Sequence, residues 1–91
     1  MVKSYHCIVE GKVQGGNFQT WALDQAQELG LGGWVRFIGD GKAELLLQGD
    51  SDKYRAFKDL LEAEAPIPDV KNVNWEIIDY DKEHPSFEMR G

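Results

Sequence analysis

Apolar and polar residues alternate along residues 4–10, with Tyr5, Cys7 and Val9 on one side and His6, Ile8 and Glu10 on the other. A period of two is that of a strand, so residues 4–10 are read as the first one. Beyond the stretch Gly11-Lys12-Val13-Gln14-Gly15-Gly16-Asn17-Phe18-Gln19 the period lengthens. Phe18, Ala22, Ala26 and Leu29 recur at helical spacing, with Trp21 and Gln25 along the flanks. Asp24, Gln27 and Glu28 make the opposite face polar, and Gly30 suits a left-handed cap at the end of this helix. Trp34 to Ile38 is a short aromatic and branched run, read as a second strand. Gly39-Asp40-Gly41-Lys42 then signals a hairpin, because Asp-Gly tolerates the positive φ of a tight reversal. Ala43 to Gln48 is the returning strand, ended by Gly49. Asp50-Ser51-Asp52 offers capping oxygens and acids for a helix start. Tyr54, Phe57, Leu60, Leu61 and Ala65 carry a second amphipathic helix to about Glu64, where Pro66-Ile67-Pro68 stops it. Val70, Val73, Trp75 and Ile77 mark a fourth strand reaching Tyr80. Residues 79–85 read as loop, and Phe87–Met89 as a short last strand.

The order strand, helix, strand, strand, helix, strand defines an α+β class. It fits a ferredoxin-like βαββαβ sandwich, an antiparallel four- to five-stranded sheet with two helices on one face. That fold hosts many unrelated functions and settles none of them. The 91 residues show no composition break, repeat or low-complexity tract, so residues 1–91 are expected to form a single domain. With 42% apolar residues the chain can fill one modest core.

A formal charge of −6 argues against a nucleic-acid or anionic-membrane partner, since neither phosphate backbones nor acidic lipids attract an acidic surface. A local basic spot around Lys3, Lys12 and Arg36 stays open. The one cysteine, Cys7, cannot make an internal disulfide or a cysteine-based metal site, and its place beside Tyr5 and Val9 reads as a buried small hydrophobe. His6 and His84 each lack a second ligand at metal spacing, so no metal is expected and both read as ordinary polar residues. Without a long apolar run or a charged-then-apolar leader, a soluble, cytoplasmic protein is the expectation.

The candidate chemistry is concentrated in the glycine stretch. Two adjacent glycines can take backbone angles closed to other residues, so consecutive N–H groups can turn inward. Just before a helix N-terminus such a concavity attracts anions. The same residues also suit a plain strand-to-helix turn, and on their own they leave both readings open.

Three features in order resemble the acylphosphatase family. They are Gly11-Lys12-Val13-Gln14-Gly15 followed by Phe18, then Leu29-Gly30-Leu31-x-Gly33-Trp34-Val35-Arg36, then Asp40-Gly41 with Gly49 closing the next strand. The final Phe87-x-Met89-Arg90 is similar to the family's closing strand, so the resemblance runs along the whole chain. It implies a small enzyme, needing no metal or cofactor, that hydrolyses carboxyl phosphates. It implies a phosphate-binding loop of Gln14, Gly15, Gly16, Asn17, Phe18 and Gln19. In the family an arginine directly after the loop phenylalanine clamps the phosphate, and an asparagine two residues after the valine of Gly-Trp-Val orients the attacking water. Here those two catalytic positions hold Gln19 and Phe37, and Gly16 replaces the usual valine of the loop.

Phosphoryl transfer is catalysed mostly by positioning and by charge placed against the transferring oxygens. Arginine meets two oxygens with a rigid, always charged fork, whereas glutamine donates without charge. Loss of one preorganised donor typically costs on the order of 10²–10³ in rate. Phe37 can neither accept from nor donate to a water. The expectation is therefore an acylphosphatase-like protein with weak or no activity. One alternative is an active enzyme using altered residues, for example Asn17 with backbone amides. Another is a non-catalytic anion-binding or interaction module. Phe37 also reads as plain packing beside Trp34 and Val35, and Gln19 as a solvated polar residue. The expected ligand is a small anion or an acyl phosphate, and the expected state a monomer.

Overall fold

In the computed structural model, which describes residues 2–13, 17–39, 41–65 and 71–90, seven elements follow one another. They are β1 (Val2–Glu10), α1 (Asn17–Leu29), β2 (Gly32–Gly39), β3 (Lys42–Gln48), α2 (Ser51–Glu64), β4 (Asn72–Tyr80) and β5 (Phe87–Met89). The five strands form one sheet in the order β4-β1-β3-β2-β5.

Four strands make the expected antiparallel sheet, β1 pairing with β3 and β4, and β2 with β3. The fifth departs from it, because β5 pairs parallel to β2, from Gly33↔Phe87 to Val35↔Met89, and the sheet is mixed. Connectivity dictates this direction. β4 ends with Tyr80 beside Val2, at the pole where β1 and β2 both begin. The chain crosses the sheet at that pole and can only enter the outer edge of β2 from its start.

Alternation puts Tyr5, Cys7, Val9, Ala43, Leu45 and Leu47 on one face of the sheet, all buried. Phe18, Ala22 and Ala26 of α1 and Phe57 and Leu61 of α2 close over them, so both helices lie on that face. Tyr5 stacks on Tyr54 with ring centroids 3.8 Å apart, and Trp75 meets Tyr54 and Phe57 edge-on. Among the described residues, no helix is long and apolar enough to cross a membrane.

The helix ends follow local chemistry in one case and not in the other. Gly30 takes φ +72, its N–H donates to Gln27 O, and Leu31 N–H donates to Ala26 O. This pair of bonds is the glycine cap that the sequence predicts. At the start of α2, Asp50 is the cap residue, yet its side chain makes no capping bond and only its carbonyl accepts Tyr54 N–H. β1 and β2 begin two residues earlier than periodicity indicates, because ladder pairing continues to Val2 and through Gly32, a residue with no side chain to mark a face. β4 starts at Asn72, and Val70 lies outside the described residues.

Candidate functional site

The first turn of α1 is anchored by Phe18, which is 1% exposed and lies 6.2 Å from the Trp21 ring. Anchoring Phe18 inward leaves Asn17 exposed and sets Gln19 half-buried at the sheet edge. There Gln19 Nε2 donates to the carbonyl of Arg90 at 3.3 Å. Arg90 N–H in turn donates to Val35 O at 2.8 Å, which extends the pairing of β5 with β2. Val35 and Phe37 share a face of β2 by alternation, and Phe37 packs against the core opposite Ala43. Gln19 and Phe37, 18 positions apart in sequence, are thus gathered at one end of the sheet.

That end is also where the glycine loop departs. Gly11 N–H donates to Gly41 O at 2.8 Å, Val13 N–H donates to Gly11 O at 2.9 Å, and Val13 is fully buried. Gly11 is therefore tied to the β2–β3 hairpin, and Phe18 is buried in the core. Gln14, Gly15 and Gly16 themselves lie outside the described residues. The register of β2 shifts between Phe37 and Gly39, which makes Ile38 the extra residue of a bulge and leaves it 42% exposed.

The functional groups brought together here are weak ones for phosphoryl chemistry. Gln19 offers a neutral amide, already engaged with a carbonyl. Phe37 offers hydrocarbon. Arg90 presents its backbone, not its guanidinium, to Gln19. That guanidinium lies 5.2 Å from the Trp34 ring and 3.3 Å from Glu88 Oε1. Among the described residues, no group of three His, Cys, Asp or Glu side chains is placed to hold a metal.

Charge is organised instead on the sheet face away from the helices. Glu44 pairs with His6 Nε2 at 2.6 Å and accepts from Arg36 Nε at 2.7 Å, and Arg36 lies 5.0 Å over the Trp34 ring. Burial would raise the Glu44 carboxyl, but the hydrogen bonds and charges of His6 and Arg36 outweigh it and hold it below its ordinary 4.5. A depressed folded-state value adds stability that is complete above about 4.5 and is lost as pH falls through it. Glu44→Gln is therefore expected to be less stable than the parent at pH 7. The gap should narrow in urea melts as pH drops below Glu44's ordinary value, and a constant gap would contradict the linkage. Lys3, Lys12 and Arg36 do not form a basic spot, since Lys3 and Lys12 flank opposite ends of β1 and Arg36 is committed to Glu44. Cys7 is fully buried, which pushes its thiol up and leaves it unreactive.

Sequence reading gave no role to Glu44 or Gln48, took His84 as an ordinary polar residue and Arg90 only as the end of the closing-strand motif. The period of two does place Glu44, His6 and Arg36 on one face, a signal that could have found that trio. Gln48 had no such signal. It is 5% exposed, donates from Nε2 to Ser4 Oγ and Lys82 O, and accepts from His84 N–H at 2.6 Å.

A mixed sheet in this strand order with both helices on one face is a ferredoxin-like sandwich. The acylphosphatase family model matches residues 5–89, and the chain belongs to that family. It is 37% identical over 90 residues to an acylphosphatase of Nitrosococcus oceani, covering 99% of this chain and all of the relative. The crystal structure of acylphosphatase from Bacillus subtilis superposes with a TM-score of 0.88 at 26% identity, covering 99% of this chain and all of that one. An acylphosphatase from Coxiella burnetii gives 0.85 at 35% identity, over 97% of this chain and 92% of its own.

Proposed function

We propose that this chain is a single acylphosphatase-like domain with weak or no turnover of carboxyl phosphates. Gln19 carries this reading. At the position where the family resemblance implies a charged clamp, a neutral amide bonds the Arg90 carbonyl instead of facing an anion unpaired. Phe37 adds to it, because a ring packed on the core cannot hold the nucleophilic water. The two losses need not add, since both positions would serve one transition state.

In this reading the loop of Gln14, Gly15, Gly16, Asn17, Phe18 and Gln19 offers only backbone N–H groups and neutral side-chain amides, with no charge, to a small anion or acyl phosphate. No cofactor takes part, and water is the nucleophile of whatever hydrolysis remains. The acidic balance of −6 supports a protein that avoids nucleic acid and anionic membranes. A monomer in the cytoplasm completes the proposal.

The test is hydrolysis of benzoyl phosphate by the purified chain, with the Bacillus subtilis acylphosphatase assayed alongside. A kcat/KM lower by at least about 10² is expected, the cost typical of a single lost donor. Parity between the two proteins would refute the proposal.

A further inference from the structure

Past Tyr80 the chain crosses the start of β2 as a strap, residues 81–86, and then joins the sheet edge as β5. This run is thinly anchored. Of residues 81–89 only His84 and Phe87 are buried, and β5 contributes three residues paired on one side. Segments with so little buried surface open before the rest of a fold does.

His84 is the fastening of the strap. Its carbonyl lies on the Gly32 backbone, where a Cβ would stand 1.8 Å from it, and its N–H donates to Gln48 Oε1 at 2.6 Å. Gln48 Nε2 donates to Ser4 Oγ and Lys82 O, so one buried side chain ties β1, β3 and the strap together. From there the bonds run on in series. Gly33 N–H donates to Ser86 O at 3.1 Å, Arg90 N–H donates to Val35 O at 2.8 Å, and Arg90 O accepts from Gln19 Nε2. A detached strap would therefore take β5 with it and release the Gln19 amide.

His84 is 7% exposed, and its Nε2 has neither solvent nor a hydrogen-bond partner among the described residues. Imidazolium carries a proton on both nitrogens, so the cation would hold a buried N–H with no acceptor. The surroundings also disfavour further positive charge. Arg90 and Lys82 act on the ring, opposed by Glu88 of β5. Lys3 of β1 and Glu83 line the same cleft as His84, Lys53 of α2 reaches its Gly30 side, and the Tyr80 ring of β4 lies 5.8 Å away. Four cations thus stand against two carboxylates. Burial first, then Arg90 and Lys82, holds the ring's pKa below its ordinary 6.5. With the folded value lowered, the fastening is whole above 6.5 and weakens as pH falls from there through the folded value. We infer that residues 81–90 form an acid-released latch, in which a proton taken from solvent by His84 loosens the strap and β5 from β2 together and frees Gln19. The device is independent of any hydrolysis at Gln19 and Phe37.

Amide hydrogen exchange of the ¹⁵N-labelled chain, corrected for its intrinsic pH dependence, tests this between about pH 7.5 and about pH 5, where carboxylates with ordinary values near about 4 keep their charge. One proton permits at most about a 30-fold rise in the opening constant over that interval. Protection of the Gly33 and Arg90 amides is expected to fall by at least about threefold, while the β1–β3 ladder holds. Exchange broadening of the Gln19 side-chain amide should grow over the same interval. In the ring spectrum, His84 should titrate below 6.5. His84→Gln keeps the backbone bond to Gln48 and has no proton to gain, so its Gly33 and Arg90 amides should lose the pH-dependent part. The other histidine, His6, lies on β1 beside Glu44 and is present in both proteins. No loss of protection, a loss shared by the β1–β3 ladder, an equal loss in His84→Gln, or a His84 ring titrating at or above 6.5 would each overturn the proposal.

Discussion

The double variant Gln19→Arg with Phe37→Asn is expected to hydrolyse benzoyl phosphate at least about 10² faster than the parent chain, and far faster than either single variant. Each substitution restores a group that the reaction needs at the same instant. The guanidinium supplies charge and two parallel donors to the phosphoryl oxygens. The asparagine amide supplies both a donor and an acceptor to a water. Either alone leaves the transition state without charge or without a held nucleophile, so the singles should gain little and the pair should be non-additive. The scaffold can receive both. Residue 19 sits in the first turn of α1 beside the Arg90 carbonyl, which an arginine can still bond through one nitrogen. Residue 37 sits on the same face of β2 as Val35, whose carbonyl holds Arg90. If the double variant gains no more than the singles, the loop itself, with Gly16 in place of the usual valine, has lost the geometry as well.

Gly33→Ala is the second large effect, here on stability. Gly33 has φ +131, and a Cβ there would lie 1.8 Å from Leu46 O in the neighbouring strand. Leu46 is fully buried and pairs with Trp34 in the β2–β3 ladder, so its backbone cannot step aside. Gly39 provides the control, with φ +140 and nothing within 4 Å of its would-be Cβ. Gly39→Ala should therefore cost only backbone strain, about 1–3 kcal/mol. Gly33→Ala carries the same strain plus the overlap, and should cost more than about 3 kcal/mol of a stability that is typically 5–15 kcal/mol. Urea unfolding of the two variants followed by tryptophan fluorescence checks this. Equal losses would show that the approach to Leu46 is not the constraint.

Gly33 also illustrates how far the sequence could be read. In Gly33-Trp34-Val35 the glycine is a recognisable family signature, but its reason lies in a carbonyl contributed 13 positions later by another strand. Gly30 is different. Its positive φ closes a helix through bonds to Gln27 and Ala26 within its own last turn, so local pattern sufficed. Gln19 and Phe37 could be singled out from their place in the family motif. That Gln19 would turn its amide to Arg90 could not, because the partner is 71 residues away and is a backbone carbonyl of no particular residue type. Asp50 shows the opposite failure, a residue of the right kind at the right place whose side chain makes no cap. A capping propensity states what a side chain can bond, and a competing solvent or a small backbone shift decides whether it does.

By itself the sequence determined the order and faces of the elements. Periodicity and residue type gave those, while the resemblance of its motifs to the acylphosphatase family pointed to the family and singled out positions 19 and 37. Tertiary structure alone decided that β5 runs parallel to β2, that Arg36 and Arg90 both lie over Trp34, and that Gln48 pins His84 into a buried wall. Periodicity reports which side of an element is dry. Which distant donor lies within 3 Å of a given acceptor depends on how the strands stack in space, and no local spacing encodes that distance.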